Sequence, residues 1–244
     1  MWSKQVGYFK DYHCLIPDLP EHGKSINEGN ISIKDSASHI AELIEKHANG
    51  GKANLVGHSL GAKITVELLS IRPELISHAV IASALCRPIP FMKLSHKPFV
   101  YRLTISMLKS KWVASLAVKQ FKFPDKALEE NCLKEFQELT SDALYRIYNE
   151  LYQNLKLPQG LGKVNVPTLV IAGEKESKAM RQSVIDIVNT IPNSEGILMK
   201  KGLHTYPWVL HENFNKTIEQ WINDKQVAND FIIHLPNTVS IPYG

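Results

Sequence analysis

The sequence predicts an α/β protein built on a mostly parallel sheet with helices on both faces and a helical cap inserted into it. Three observations carry that prediction. Short apolar runs alternate with stretches of helical periodicity, the pattern of strands joined by crossover helices. One strand-like run passes straight into a helix through Gly57-His58-Ser59-Leu60-Gly61. Residues 87–162 have helical stripes and no strand pattern, as a cap lying over the carboxyl edge of a sheet would. The division expected is a core of residues 1–86 and 163–226, a cap of 87–162 and a tail of 227–244.

Taken in order, "YHCLIPDL" (12–19) reads as a first strand ending in a polar loop. "SIKDSASHIAELIEKHANG" (32–50) has Ile33, Ala37, Ile40, Ile44 and Ala48 at helical spacing and stops at Gly50-Gly51. "KANLVGHS" reads as a buried strand and "LGAKITVELLSIR" as a helix ending before Pro73. "SHAVIASAL", "VPTLVIAG" and "EGILMKK" supply three more strands, and "ENFNKTIEQWINDK" (212–225) the final helix. Within the cap, Tyr101, Ile105, Leu108, Trp112 and Leu116 make one stripe and "ALYRIYNELYQNLKL" another. The tail carries no functional signal.

Composition limits the function classes. The chain has 244 residues, 44% hydrophobic and 21% charged, which is ordinary globular chemistry. Cys14, Cys86 and Cys132 are odd in number and far apart, so neither a disulfide framework nor a zinc site is indicated, and no metal or other cofactor is expected. The first residues lack the apolar core of a signal peptide and no run is long enough to cross a membrane, so a cytoplasmic protein is expected. The net charge of +4 is unevenly spread. No acidic residue stands between Glu74 and Asp125, where Arg87, Lys93, Lys97, Arg102, Lys109, Lys111, Lys119 and Lys122 do. This block is either a solvated helix face or a surface for an anionic substrate or a membrane. No basic-aromatic nucleic-acid motif accompanies it, and no nucleic-acid partner is expected.

The Gly-x-Ser-x-Gly stretch closes a strand and opens a helix, the setting that lifts a serine hydroxyl above a sheet. Gly57 and Gly61 are expected where strand and helix approach too closely for side chains. The Leu60 N–H, at a helix N-terminus, would face a developing oxyanion. A serine needs a general base and the base an orienting carboxylate. Of the 10 histidines, His204 stands on the loop between the last strand and the last helix. Glu174 and Glu176 follow the preceding strand. The chain order is then Ser59, Glu176, His204, with Glu174 as the alternative acid. His22 and His58, with Phe91, Met92, Met107 and Trp112 of the cap, are candidate pocket residues, against a competing reading as core packing.

These segments resemble the α/β-hydrolase superfamily, specifically its capped, serine-dependent branch of esterases, lipases and thioesterases. "DLPEHGKS" (18–25) is similar to that family's Asp-x-x-Gly-His-Gly-x-Ser loop, with Glu21 in place of the first glycine. "VGHSLG" is similar to its nucleophile elbow, "VPTLVIAGEKE" to its acid segment, and "KGLHTYPWVLHENFNKTIEQWI" to its histidine loop and closing helix. The resemblance implies hydrolysis of a small-molecule acyl ester or thioester through an acyl-enzyme. Ser59 argues against the dehalogenases and epoxide hydrolases of the family, which carry aspartate at the elbow. In the family a central strand ending in His-Gly precedes the helix that here reads "WSKQVGYFKDY" and gives the second oxyanion donor. This chain begins after that strand, so the expectation is a shortened sheet with a gap or a direct pairing beside "KANLVGHS", impaired turnover, and an open edge that favours a homodimer. The alternative is a non-catalytic binding protein of the same fold. "EHGKS" contains Gly-Lys-Ser, but a phosphate-binding loop needs glycine where Asp18 stands.

Overall fold

The computed structural model describes residues 1–90, 96–223 and 227–235. Five strands form one sheet in the order β1 (Ala53–His58), β2 (Ile76–Ala82), β3 (Thr168–Gly173), β4 (Ser194–Met199) and β5 (Ile232–His234). The first four are parallel and β5 runs antiparallel to β4. Helices α1 (Ser3–Tyr8), α2 (Ile33–His47) and α3 (Leu60–Ile71) precede β2. Helices α4 (Pro98–Leu108), α5 (Lys111–Lys119), α6 (Lys126–Glu138) and α7 (Ser141–Gln153) lie between β2 and β3. The rest are α8 (Lys178–Thr190), α9 (Tyr206–Val209) and α10 (His211–Ile222).

Strands β2 and β3 are apolar without alternation because helices cover both faces. Ala79, Ile81, Val170 and Ala172 point into one core with α2, α3 and α8. Val80, Ala82, Leu169 and Ile171 point into the other, with Phe214 and Ile218 of α10 and Trp2 at the start of α1. The N-terminal helix is fastened to α10 by polar bonds as well. Gln5 Nε2 donates to the Pro207 carbonyl and to Asn215 Oδ1, both at 2.9 Å. Helix α2 starts where the Ser32 hydroxyl accepts the Asp35 N–H and caps it.

The structure corrects several expectations. "YHCLIPDL" is extended but forms no strand; Tyr12 and Ile16 are exposed. Its side of β1 holds a void, not a pairing, so β1 is the sheet edge among the described residues. That explains why Leu55 and Val56 stay half-exposed while β2 and β3 are sealed. The fifth strand comes from the tail, where "FIIH" pairs with β4; three residues of pairing leave too short a period to recognise. Helix α8 is a further element that the sequence reading passed over. The cap stripe breaks at Lys109-Ser110: Ile105 is buried, but Trp112 and Leu116 face out on a separate helix.

The inserted helices are tied to the core through α7. Arg146 Nε donates to Glu21 Oε1 at 2.6 Å, and the other Glu21 oxygen accepts the Ile31 N–H at 3.2 Å. Glu150 Oε2 accepts the Ile33 N–H at 3.0 Å, so a carboxylate meets the open N-terminus of α2. Glu21 itself has φ 65, a conformation that suits the glycine of the resembled loop; its buried bonds hold it there.

Candidate active site

The site forms where β1, β2 and β3 end side by side. Ser59 follows β1 with φ 54 and ψ −114, backbone that a side chain adopts only under constraint. The constraint is visible: its N–H donates to the Ala82 carbonyl at 2.9 Å, and α3 begins at the next residue. Gly57 makes the turn feasible. A Cβ there would lie 2.3 Å from Thr65 Oγ1 and 2.4 Å from the Gly61 carbonyl oxygen. Gly61 is different from the expectation, because a Cβ on it would meet nothing within 4 Å. Only the first glycine is demanded by clearance; the second contributes its backbone as the surface that Gly57 touches.

His204 arrives from the loop after β4. Its Nε2 lies 3.1 Å from Ser59 Oγ, and its Nδ1 lies 2.6 Å from Glu176 Oε1. Glu176 is buried, and its second oxygen accepts the Gly173 N–H at 2.7 Å and the Ser83 hydroxyl at 2.8 Å. Three donors thus converge on this buried side chain and fix its orientation. Glu174 is directed elsewhere and accepts the Lys201 N–H at 2.7 Å. The turn bearing Glu176 and the loop bearing His204 are brought together by glycine contact: a Cβ on Gly173 would stand 2.4 Å from the Gly202 carbonyl oxygen.

His58 lines the cavity beside Ser59, as expected. It is buried, with Nε2 3.0 Å from the His204 carbonyl oxygen and its ring 4.7 Å from the His204 ring. Burial first, and then the neighbouring His204, push its pKa down to about 3. It is therefore neutral near pH 7, donates through Nε2, and fixes the loop that carries His204. Sequence reasoning also missed Ser83, which has φ 58 at the end of β2, and Tyr206, whose hydroxyl is 3.4 Å from Ser83 Oγ. Burial and the Glu176 charge push the Tyr206 pKa up. Tyr206 stands two residues beyond His204 in the same quoted loop; Ser83 had no signal beyond ending a strand.

A cavity of about 1090 Å³ runs from Ser59 and His204 down the outer side of β1. Leu15 and Leu19 wall it on one side, Leu55 and Val56 on the other, and Ile147 and Leu151 of α7 over the top. His22 lines it as expected, with Nδ1 2.9 Å from the Pro20 carbonyl oxygen. Met107 and Trp112 do not: they are exposed on the outside of the inserted helices, because α4 and α5 turn other faces inward. Phe91 and Met92 lie outside the described residues. Leu60, as the first residue of α3, has an N–H with no intrahelical acceptor, and the residue lines the same cavity as Ser59. No group of three or more candidate metal ligands occurs among the described residues, and no described helix is long and apolar enough to cross a membrane.

Known proteins resemble this chain in both sequence and structure. An AB hydrolase superfamily protein of Gibberella zeae is 36% identical over 72 residues, which are 30% of this chain and 26% of that relative. An (E)-2-((N-methylformamido)methylene)succinate hydrolase of Acinetobacter baylyi is 21% identical over 235 residues, 91% of this chain and 84% of its own length. A solved thermophilic esterase superposes with a TM-score of 0.58 at 27% identity, over 85% of this chain and 79% of that one. A family model described as alpha/beta hydrolase fold matches residues 1–130, more than half of the sequence. With the sheet order, the elbow and these matches together, the chain belongs to the α/β hydrolase fold family.

Proposed function

We propose that this chain is a serine hydrolase of a carboxylic ester or thioester. One observation carries the reading: an unbroken hydrogen-bonded line from Ser59 Oγ through His204 to the buried Glu176. Ser59 attacks the substrate carbonyl while His204 Nε2 takes the hydroxyl proton. Glu176 holds the Nδ1–H and stabilises the imidazolium that forms, and Ser83 and the Gly173 N–H keep the carboxylate in place. The oxyanion of the tetrahedral intermediate is stabilised by the Leu60 N–H. Collapse expels the alcohol or thiol, which recovers its proton from His204. Water, deprotonated by the same histidine, then releases the acid and frees Ser59. The mostly apolar cavity favours an acyl or alkyl group over a sugar or nucleotide. A similar protein named as an esterase supports an ester among the possible acyl substrates.

A second reading is favoured by the same cavity. At about 1090 Å³ it is larger than most small-molecule sites, and it opens along an unpaired strand edge. A chain that binds an apolar ligand with little turnover would look the same. Labelling with a fluorophosphonate separates the two. Labelling of Ser59 that is lost in Ser59→Ala and in His204→Ala supports the hydrolase; folded protein that takes no label rejects it in favour of binding.

A further inference from the structure

The outer face of α4 and α5 has an unusual composition for a surface. Five of the large apolar side chains exposed among the described residues fall within residues 99–116: Phe99 is 68% exposed, Leu103 60%, Met107 54%, Trp112 72% and Leu116 44%. They are not scattered. Phe99, Leu103 and Met107 stand at i, i+4 and i+8 on α4, and Trp112 and Leu116 at i and i+4 on α5. Both helices already bury another face, through Ile105 on one and Ala114 and Val118 on the other. Core packing therefore does not account for the exposed stripe, which is a second apolar face.

The charge on these helices has one sign. Lys97, Arg102, Lys109, Lys111, Lys119 and Lys122 flank the stripe, and residues 97–122 contain no aspartate or glutamate. At about 100° per residue, Arg102 lies beside Leu103, and Lys119 beside Trp112 and Leu116. Lys109 is the exception, since its Nζ donates to the Gln137 and Leu139 carbonyls at the C-terminal end of α6. Apolar and aromatic side chains rimmed by cations on short helices are the composition of a segment that lies in a bilayer interface. A protein partner would be expected to meet some charge of the other sign.

We propose that the outer face of α4 and α5 docks on an anionic lipid bilayer, with Phe99, Leu103, Met107, Trp112 and Leu116 entering the headgroup boundary and the surrounding lysines and arginine meeting lipid phosphates. The attachment is reversible: five partly inserted side chains and the five cations other than Lys109 hold the protein on the surface without spanning it. This docking does not depend on the catalytic reading.

Cosedimentation with vesicles of phosphatidylcholine alone, or with phosphatidylserine added, tests it. The intact protein should pellet with the anionic vesicles at low salt, more weakly at high salt, and little with neutral ones. Its tryptophan emission should shift to the blue on binding, and the shift should vanish in Trp112→Phe. Leu103→Ser with Trp112→Ser should weaken partition about 10-fold or more. Lys111→Glu with Lys119→Glu should weaken it about 100-fold. All four side chains are exposed, so thermal melts of both variants should match the parent. An intact protein that stays in the supernatant with anionic vesicles overturns the proposal. So does unchanged binding by both variants. A dimer that Leu103→Ser with Trp112→Ser dissolves, in a protein that ignores vesicles, would assign the face to a second copy instead.

Discussion

His58 should make the protein acid-sensitive over a defined range. The residue is buried, donates Nε2–H to the His204 carbonyl at 3.0 Å, and has its pKa pushed down to about 3. In the unfolded chain an ordinary histidine titrates near 6.5. Because the folded value is the lower one, the associated stability is present above about pH 6.5 and drains away as pH falls. Below about pH 3 the native state would take the proton too, and the loss would level off. Between pH 7 and pH 4.5 the unfolded state gains nearly one proton that the native state refuses. Integrating that difference gives a loss of about 2.5 kcal/mol. Carboxylates contribute to acid unfolding as well, so the comparison is with His58→Gln, whose amide can donate to the same carbonyl but does not titrate. Urea unfolding followed by tryptophan fluorescence at the two pH values gives four free energies. The advantage of the parent over His58→Gln should shrink by about 2.5 kcal/mol on acidification. A difference that stays constant to within about 0.5 kcal/mol would refute the assignment of His58 as a buried neutral donor.

The elbow glycines should behave oppositely. Gly57→Ala places a Cβ within 2.4 Å of the Gly61 backbone and should cost about 3 kcal/mol or more, or prevent folding. Gly61→Ala meets open space and lies inside α3, so thermal melts should show a change within about 1 kcal/mol, in the stabilising direction by helix propensity. Where α7 meets the Glu21 loop, Arg146→Met strands the carboxylate of Glu21, whose side chain is 3% exposed. Arg146 is 39% exposed and water can replace it in part, so the cost should be about 2 kcal/mol, below that of a sealed pair. Adding Glu21→Gln should recover most of that loss in the same urea titration.

The parts of the molecule that were legible in the sequence are those whose signal is local. Strands β1 to β4 announce themselves because sheets covered on both faces need unbroken apolar runs, and α2 because Ile33, Ala37, Ile40 and Ile44 recur at helical spacing. The Ser59 elbow, His204 loop and the two glutamates could be picked by position after a strand. Choosing between Glu174 and Glu176 required three dimensions, since only side-chain direction separates residues two apart. "YHCLIPDL" failed for a related reason: strand propensity is realised only with a neighbour to pair with, and here the space beside β1 is open. Trp112 and Met107 misled because an aromatic or thioether side chain is assumed to seek the interior; their exposure reflects helices whose inward faces were already filled.

The position of β1 at the sheet margin has a consequence for how the molecule comes apart. Strands β2 and β3 are gripped from both sides, whereas β1, which delivers Ser59, is laddered to β2 alone among the described residues. Its outward amides face the void, and its release breaks one ladder where release of β3 would break two. Among the four parallel strands the least costly excursion is therefore a peeling of the strand that carries the elbow, with the hydrophobic layers under β2 and β3 still closed. Amide exchange would record this as an early-opening unit spanning 53–58, and chemical reactivity at Ser59 would fade under mild urea while the fluorescence of the cores still reads native. Among the parallel strands the weak point is thus the one that ends at Ser59, and β2 and β3 would outlast it.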